Sequence, residues 1–143
     1  MIIDDIEAHM SAAGAIERAA MVPGMFFAWC TNLQLVSNAF TAEFERETLR
    51  LRYRDWSPAA FFLKTTGGRL DDEQLSERGR LFTRHYYATY RNDHASLYHA
   101  QDDWDTYDAI AGGLTKAYYA FADGGHKVHK VAHGGRHWWQ VWR

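Results

Sequence analysis

One apolar run that has no polar face constrains the fold of this chain more than any other feature. The residues from Gly24 to Cys30 are Gly-Met-Phe-Phe-Ala-Trp-Cys, and apolar residues recur as far as Val36. The segment is about 14 residues long, which exceeds a usual strand, so it predicts a helix. Pro23 suits its first turn, where a missing N–H costs nothing. A helix that is apolar on every side belongs in the middle of a domain, and Cys30 is then most simply a small core residue.

The length and the single cysteine limit the class of protein. A chain of 143 residues fits one domain, and one cysteine leaves no internal disulfide framework, which is typical of a reducing compartment. No window reaches the roughly 18 apolar residues of a membrane span. The start, Met1 to Asp5, lacks the basic and apolar regions of a signal peptide. We therefore expect a single cytoplasmic domain over residues 1–143.

Caps and helical spacing predict the other helices. They cover 41–54 with Thr41 as N-cap, a short stretch after Ser57-Pro58, 72–90 with Asp71 as N-cap, and a final stretch from near Asp103 to about Phe121. Gly79 within the apolar stripe of the 72–90 helix predicts the close approach of another backbone. Arg50, Arg52 and Arg54 would splay over about 200° of a helix, so a solvated face is a simpler interpretation than a phosphate site. Residues 1–6 are compatible with an extended edge or a short turn.

The last residues change period. Residues 126–133 alternate His, Lys and Val, Gly134-Gly135 follows, and residues 136–143 contain three tryptophans. Two β-prone runs around a Gly-Gly pair predict a hairpin that pairs Val131 with Trp138. The expected architecture is mainly α: a compact bundle of four to five helices over 1–122, with a C-terminal β-hairpin appendage over 123–143.

Four tail histidines raise the possibility of a metal site. They are spaced by 3, 4 and 4 residues, which would align them on one helix face: His126, His129, His133 and His137. Gly134-Gly135 would break that helix, and residues four apart in a strand lie roughly 13 Å from each other, too far to share an ion. A solvated or partner-facing hairpin is the preferred interpretation.

A second polar group lies between Ser96 and Asp108. If this segment were helical, His99 and Asp103 would sit at i,i+4, a usable pair for a metal or for acid–base chemistry. Asp5 and His9 could join them if the two segments meet in space. The alternative is structural, because aspartates cap helices and buried Tyr and Trp need partners for their polar tips.

Charge and motifs exclude several function classes. The net charge is -2; residues 1–120 carry 17 acids and 12 bases, whereas residues 121–143 carry 1 acid and 4 bases. The basic residues are too few and too scattered for a nucleic-acid groove, and the overall charge favours no membrane surface. The motifs of serine hydrolases, zinc proteases, redox dithiols, P-loops and dinucleotide folds are missing.

Several short motifs stand out along the chain. They are Asp4-Asp5-Ile6-Glu7 with His9, a GMFxAW helix at 24–29, Leu70 to Leu75 with Gly79 and Phe82, Tyr86-Tyr87, and an SLYHxxxDWxxYD segment at 96–108. Together they resemble a family of small bacterial proteins known only as a domain of unknown function. The resemblance covers residues 2 to about 121, and the tail departs from it. The family has no established activity, so the resemblance assigns no catalytic residue. Proteins of this size and composition are similar, as a class, to the immunity partners of secreted bacterial toxins.

The hypothesis that follows is a non-enzymatic binding protein without cofactor, of the immunity or antitoxin type, that neutralises a cognate toxin or effector by direct binding. Trp, Tyr and Arg dominate interface hot spots. The candidate partner-binding residues are Tyr98, His99, Asp103, Trp104, Asp108, Arg136, Trp138, Trp139 and Trp142. Two alternatives stay open: a small metal-dependent enzyme that uses His9, His99, Asp103 and Asp5, and a homo-oligomer, such as a homodimer, that pairs hairpin edges.

Overall fold

The central apolar run forms a buried helix in the computed structural model, which describes residues 1–130 and the side chains of residues 1–124. This helix is α3, Met21–Asn32, and every residue from Met21 to Thr31 is buried. Its C-terminal end lies four residues before Val36, because the chain turns at Gln34, whose φ is +61°. The predicted central helix is therefore confirmed, with a shorter extent.

The described residues form seven further α-helices and a two-stranded sheet before and after α3 in the sequence. The elements are β1 (Ile2–Asp5), α1 (Glu7–Ala13), α2 (Ile16–Ala19), α3, α4 (Asn38–Glu43), α5 (Glu45–Arg52), α6 (Pro58–Thr66), β2 (Arg69–Asp71), α7 (Glu77–Asp93) and α8 (Trp104–Lys130). Two 3₁₀ helices cover Asp72–Gln74 and Ala95–His99. The mainly α class is confirmed, but the number of helices exceeds the four or five predicted.

Two glycines allow close approaches of one backbone segment to another in the core. A Cβ on Gly24 of α3 would lie 3.1 Å from the Cα of Ala59 in α6, which is closer than an ordinary van der Waals contact, so a side chain here would push the two helices slightly apart. A Cβ on Gly79 of α7 would lie 2.2 Å from the carbonyl oxygen of Leu35. The predicted close approach of another backbone at Gly79 is thus confirmed.

The sheet joins the start of the chain to the segment after α6. β1 and β2 are antiparallel, with Asp4 opposite Leu70 and Asp5 opposite Arg69. Of the two readings of residues 1–6, the extended edge is the one observed. This pairing places the Asp4 side chain inside the domain, next to α1 and α7.

Three predicted boundaries were wrong. Ser37, and not Thr41, caps the helix after α3, and that helix is divided at Phe44 into α4 and α5. Asp71 caps the 3₁₀ helix at Asp72–Gln74, whereas Ser76 caps α7. The error has a local cause: two successive segments each offer a capping side chain before acidic residues, and sequence alone does not rank them.

The predicted C-terminal hairpin was also wrong. Its first strand was placed at residues 126–133, but α8 continues through His126 to Lys130. A helix that has already formed adds residues without a new nucleation cost, so the weak strand preference of alternating Val and His is overridden. The sheet pairs β1 with β2 instead. Residues 131–143 lie outside the described residues, as do the side chains of the four tail histidines and of Arg136, Trp138, Trp139 and Trp142.

The chain divides into two units, Met1–Ile110 and Ala111–Arg143. The first contains both strands, the helices α1 to α7 and the first turns of α8, and the second is described only as the remainder of that helix to Lys130. The predicted limits of a body at 1–122 and an appendage at 123–143 stay a prediction. Within the described residues, no helix is both long and apolar enough to cross a membrane.

Candidate functional site

A buried carboxylate lies at the start of the chain. Asp4 on β1 is only 4% exposed, and its Oδ2 accepts hydrogen bonds from His9 Nε2 at 2.6 Å and from the Tyr87 hydroxyl at 2.5 Å. Its Oδ1 accepts a bond from the backbone N–H of Asp5 and lies 3.5 Å from the guanidinium of Arg91. Buried charges persist when they are paired and hydrogen-bonded, which is the case here.

His9 connects this carboxylate to a distant segment. The ring is fully buried in α1, and its Nδ1 is hydrogen-bonded to the hydroxyl of Tyr98 in the second 3₁₀ helix. With the proton on Nε2, His9 donates to Asp4 and accepts from Tyr98, so all its polar atoms are satisfied. The chain Asp4–His9–Tyr98 therefore fastens β1 and α1 to the segment that follows α7.

Electrostatics favour the ionised form of Asp4. Burial alone would raise its pKa, but the hydrogen bonds from His9 and Tyr87 and the charge of Arg91 outweigh burial and lower the pKa below its usual value. The pKa of Tyr87 is raised well above its usual value by burial and by the neighbouring Asp4 charge. Burial also raises the pKa of Tyr98. Both hydroxyls are therefore protonated donors at neutral pH.

The two predicted polar segments do meet, and His9 of the proposed metal set makes the contact, but its partner in the 96–108 segment is Tyr98 and not His99 or Asp103. Tyr98 contacts His9, whereas the neighbouring His99 is exposed. Asp103 accepts a hydrogen bond from the Thr106 N–H at the start of α8, and Asp5 accepts from the first N–H groups of α1. Among residues whose side chains are described, no group of three or more His, Cys, Asp or Glu is placed to hold a metal ion.

A second arrangement lies at the surface, where α5 ends near the start of α8. Arg54 has a φ of +62°, and its guanidinium donates two hydrogen bonds to the Asp108 carboxylate, at 3.0 and 2.8 Å. The same guanidinium lies 4.4 Å from the centre of the Trp104 ring. Planar guanidinium groups favour this combination of paired hydrogen bonds and aromatic stacking.

Neighbouring aromatic residues extend this surface. The Trp104 indole N–H donates to the carbonyl of Trp56 at 3.2 Å, and the ammonium of Lys64 lies 5.2 Å from the Trp56 ring. Tyr53, directly before Arg54, is 75% exposed. We call the group of Tyr53, Arg54, Trp56, Trp104 and Asp108 the Arg54 surface.

The aspartates next to the Arg54 surface cap helices. Asp102 accepts from the Ser57 hydroxyl at 2.5 Å and from the Ala59 N–H at 2.9 Å, so it caps α6 from a distant part of the chain. Together with the cap made by Asp103, this agrees with the capping interpretation of the 96–108 segment.

Two important residues escaped the sequence reasoning. The sequence predicts a solvated helical face that includes Arg54, whereas α5 ends at Arg52 and Arg54 follows the helix in a left-handed conformation. Trp56 was not singled out at all. Because Arg54 and Asp108 are 54 positions apart, no local spacing could have linked them. Aromatic and arginine residues directly after a helix were the only available signal.

The fold and these two arrangements define a small, mainly helical domain with a buried Asp–His–Tyr chain and an ordered aromatic–arginine surface. Residues 2–120 match the family model described as a domain of unknown function (DUF7832), and the chain belongs to that family. Searches of curated proteins and of solved structures gave no match.

Proposed function

We propose that the chain is a non-enzymatic binding protein that contacts a protein partner through the Arg54 surface. The observation that carries this proposal is the fixed position of Arg54, which stacks on Trp104 while it forms two hydrogen bonds with Asp108. Trp104 and Asp108 are two of the partner-binding candidates predicted from sequence.

The backbone at Arg54 supports the proposal. A left-handed conformation costs a residue with a Cβ roughly 1–2 kcal/mol, and glycine is the usual residue at such a helix end. Arginine at this position is accounted for by the contacts of its side chain. Function is a common reason for retaining a disfavoured conformation.

The residue types of the Arg54 surface and their fixed side-chain conformations favour protein recognition. Trp, Tyr and Arg are the residues that most often dominate binding energy. A side chain already held in one rotamer loses less conformational entropy when a partner binds. Arg54 and Trp104 are held by their mutual contact, and the adjacent Tyr53 offers a large exposed ring.

The partner we propose is a cognate bacterial toxin or effector, and the chain would act as its cytoplasmic immunity protein. Direct binding is sufficient for such a role, so it requires neither a cofactor nor a catalytic group. The support is the resemblance in size and composition to immunity proteins together with the Arg54 surface. The exposed His99 and the tail residues Arg136, Trp138, Trp139 and Trp142 stay candidates for the same interface.

The test uses the full chain co-expressed with the products of the genes directly beside its own. Tyr53→Asp places a charge on the Arg54 surface, and Ile16→Asp is the matched control, because Ile16 is half exposed on α2. We expect one product to co-purify stoichiometrically with the wild type and with Ile16→Asp but not with Tyr53→Asp. We also expect that the product is toxic alone and is neutralised by the wild type. Equal co-purification with both variants, or no such partner, would contradict the proposal. A stable dimer of the chain alone would favour the homo-oligomer.

A further inference from the structure

A small groove elsewhere in the first unit has a negative rim and an aromatic floor. It lies between α4, the end of α6 and the first 3₁₀ helix, and its volume is about 300 Å3. The rings of Phe40 and Phe44 are 4.8 Å apart and line it, and Glu43 and Glu73 stand at its edge. A volume at the low end of the range for ligand sites fits one side chain better than a cofactor.

The polar side chains that form the walls of the groove are already used within the protein. The Thr65 and Thr66 hydroxyls donate to carbonyl oxygens of α6, and the Ser37 hydroxyl accepts from the Phe40 N–H. Both ends of the Gln74 amide are hydrogen-bonded to backbone groups. These groups cap and brace the helices, so they do not determine what the groove binds.

The two glutamates differ from the other polar groups of the groove. Neither the Glu43 nor the Glu73 carboxylate has a hydrogen-bond or ion-pair partner within the described side chains, and both are exposed. No lysine, arginine or histidine is among the nine lining residues. The complementary occupant is therefore a cation whose stem can lie on the two phenyl rings.

We propose that this groove binds a single arginine or lysine side chain from a basic peptide segment of a protein partner. The ammonium or guanidinium group would lie beside Glu43 and Glu73, and the aliphatic stem would cover Phe44 and the small exposed part of Phe40, which is only 5% exposed. The inference goes beyond the proposed function and does not depend on it, because it involves different residues.

The experiment is an NMR titration of the 15N-labelled full chain with acetyl-Leu-Arg-Leu-amide. The matched probe contains citrulline, which keeps the shape of arginine and removes its charge. We expect saturable shifts of the backbone amides of residues 38–44, 65–66 and 73–74 with the arginine peptide, and roughly two- to fivefold weaker binding with the citrulline peptide. Added salt should weaken the binding of the arginine peptide but not the binding of the citrulline peptide.

Variants assign the effect to the groove. Glu43→Gln and Glu73→Gln should each lower the affinity for the arginine peptide roughly two- to fivefold. Glu17 is an exposed acid on α2, and Glu17→Gln should leave that affinity unchanged. Absence of saturable shifts, equal binding of the citrulline peptide or an equal effect of Glu17→Gln would overturn the proposal. Shifts of the same amides on raising the protein concentration alone would assign the groove to a second copy and would also overturn it. Arg54→Gly, which alters the Arg54 surface, should still bind the peptide, so the two proposals can fail separately.

Discussion

The Nε2 atom of His9 lies 2.6 Å from the carboxylate of Asp4, and both side chains are buried. The pair joins β1 to α1, and its continuation to Tyr98 fixes the segment that leads into α8. Trp104 and Asp108 of the Arg54 surface lie in the first turns of α8, directly after that segment, so the buried chain holds the approach to the element that carries them.

Asp4→Ala should strongly destabilise the domain. It leaves the buried donors of His9 and Tyr87 without an acceptor, at a cost of about 1–3 kcal/mol each. We expect a total loss of about 2–5 kcal/mol in the free energy of unfolding, measured by urea titration. Asp5→Ala is the matched control, because it removes only the cap of α1 and should cost about 1 kcal/mol. An equal effect of the two substitutions would contradict the role of Asp4.

Stability should fall in acid partly through Asp4. Because its pKa is lower in the folded than in the unfolded chain, its contribution is fully present above the unfolded value near 3.8 and is lost as the pH falls through the folded value. The groups that face it are His9, Tyr87 and Arg91, with Tyr98 beyond His9.

The measurement is the free energy of unfolding between pH 2 and pH 7 for the wild type and for Asp4→Asn. Asp72 and Asp108 also have lowered pKa values, through the terminal amine and Arg54 respectively, and both remain in the variant. The difference between the two curves therefore reports Asp4 together with the His9 ring that it faces. It should shrink as the pH falls below the unfolded value near 3.8; a difference that does not change in acid would contradict the lowered pKa.

Gly79→Ala should destabilise the domain, because the new Cβ would lie 2.2 Å from the backbone oxygen of Leu35. Overpacking against backbone should cost at least about 2 kcal/mol. Gly112→Ala is the matched control in α8, where an added Cβ meets nothing within 4 Å. It should stabilise the protein by up to about 1 kcal/mol through helix propensity. Thermal unfolding of both variants measures the contrast, and a Gly79→Ala variant as stable as the wild type would contradict the close approach.

Arg54→Gly and Arg54→Ala should differ in stability although both remove the guanidinium. Glycine adopts the left-handed conformation of residue 54 without a steric penalty, whereas alanine has a Cβ and still carries that penalty. We expect Arg54→Gly to be more stable than Arg54→Ala by about 1 kcal/mol in urea unfolding. Equal stability would show that the backbone at this position relaxes.

The sequence predicted what depends on local patterns. The apolar run gave the central helix, Ser57-Pro58 gave the start of α6, and Gly79 gave a close contact. It failed where two local signals compete, as at Asp71 and Ser76, and where helix propagation overrides strand preference after Phe121. The contacts of Asp4 with His9 and of Arg54 with Asp108 depend on tertiary folding. Asp4 and His9 are close in the sequence, but Tyr87, which bonds to Asp4, and Tyr98, which bonds to His9, are more than 80 positions away from them.

The most direct test of the central claim is the affinity of the Arg54→Gly variant for the co-purified partner, measured by calorimetry beside the wild type and Ile16→Asp. Arg54→Gly removes the ordered guanidinium and leaves the left-handed turn unstrained, so the fold is retained. We predict that its Kd is at least about tenfold weaker, which corresponds to 1.4 kcal/mol, while Ile16→Asp binds as the wild type does. A folded Arg54→Gly variant that binds with the wild-type Kd would contradict the account.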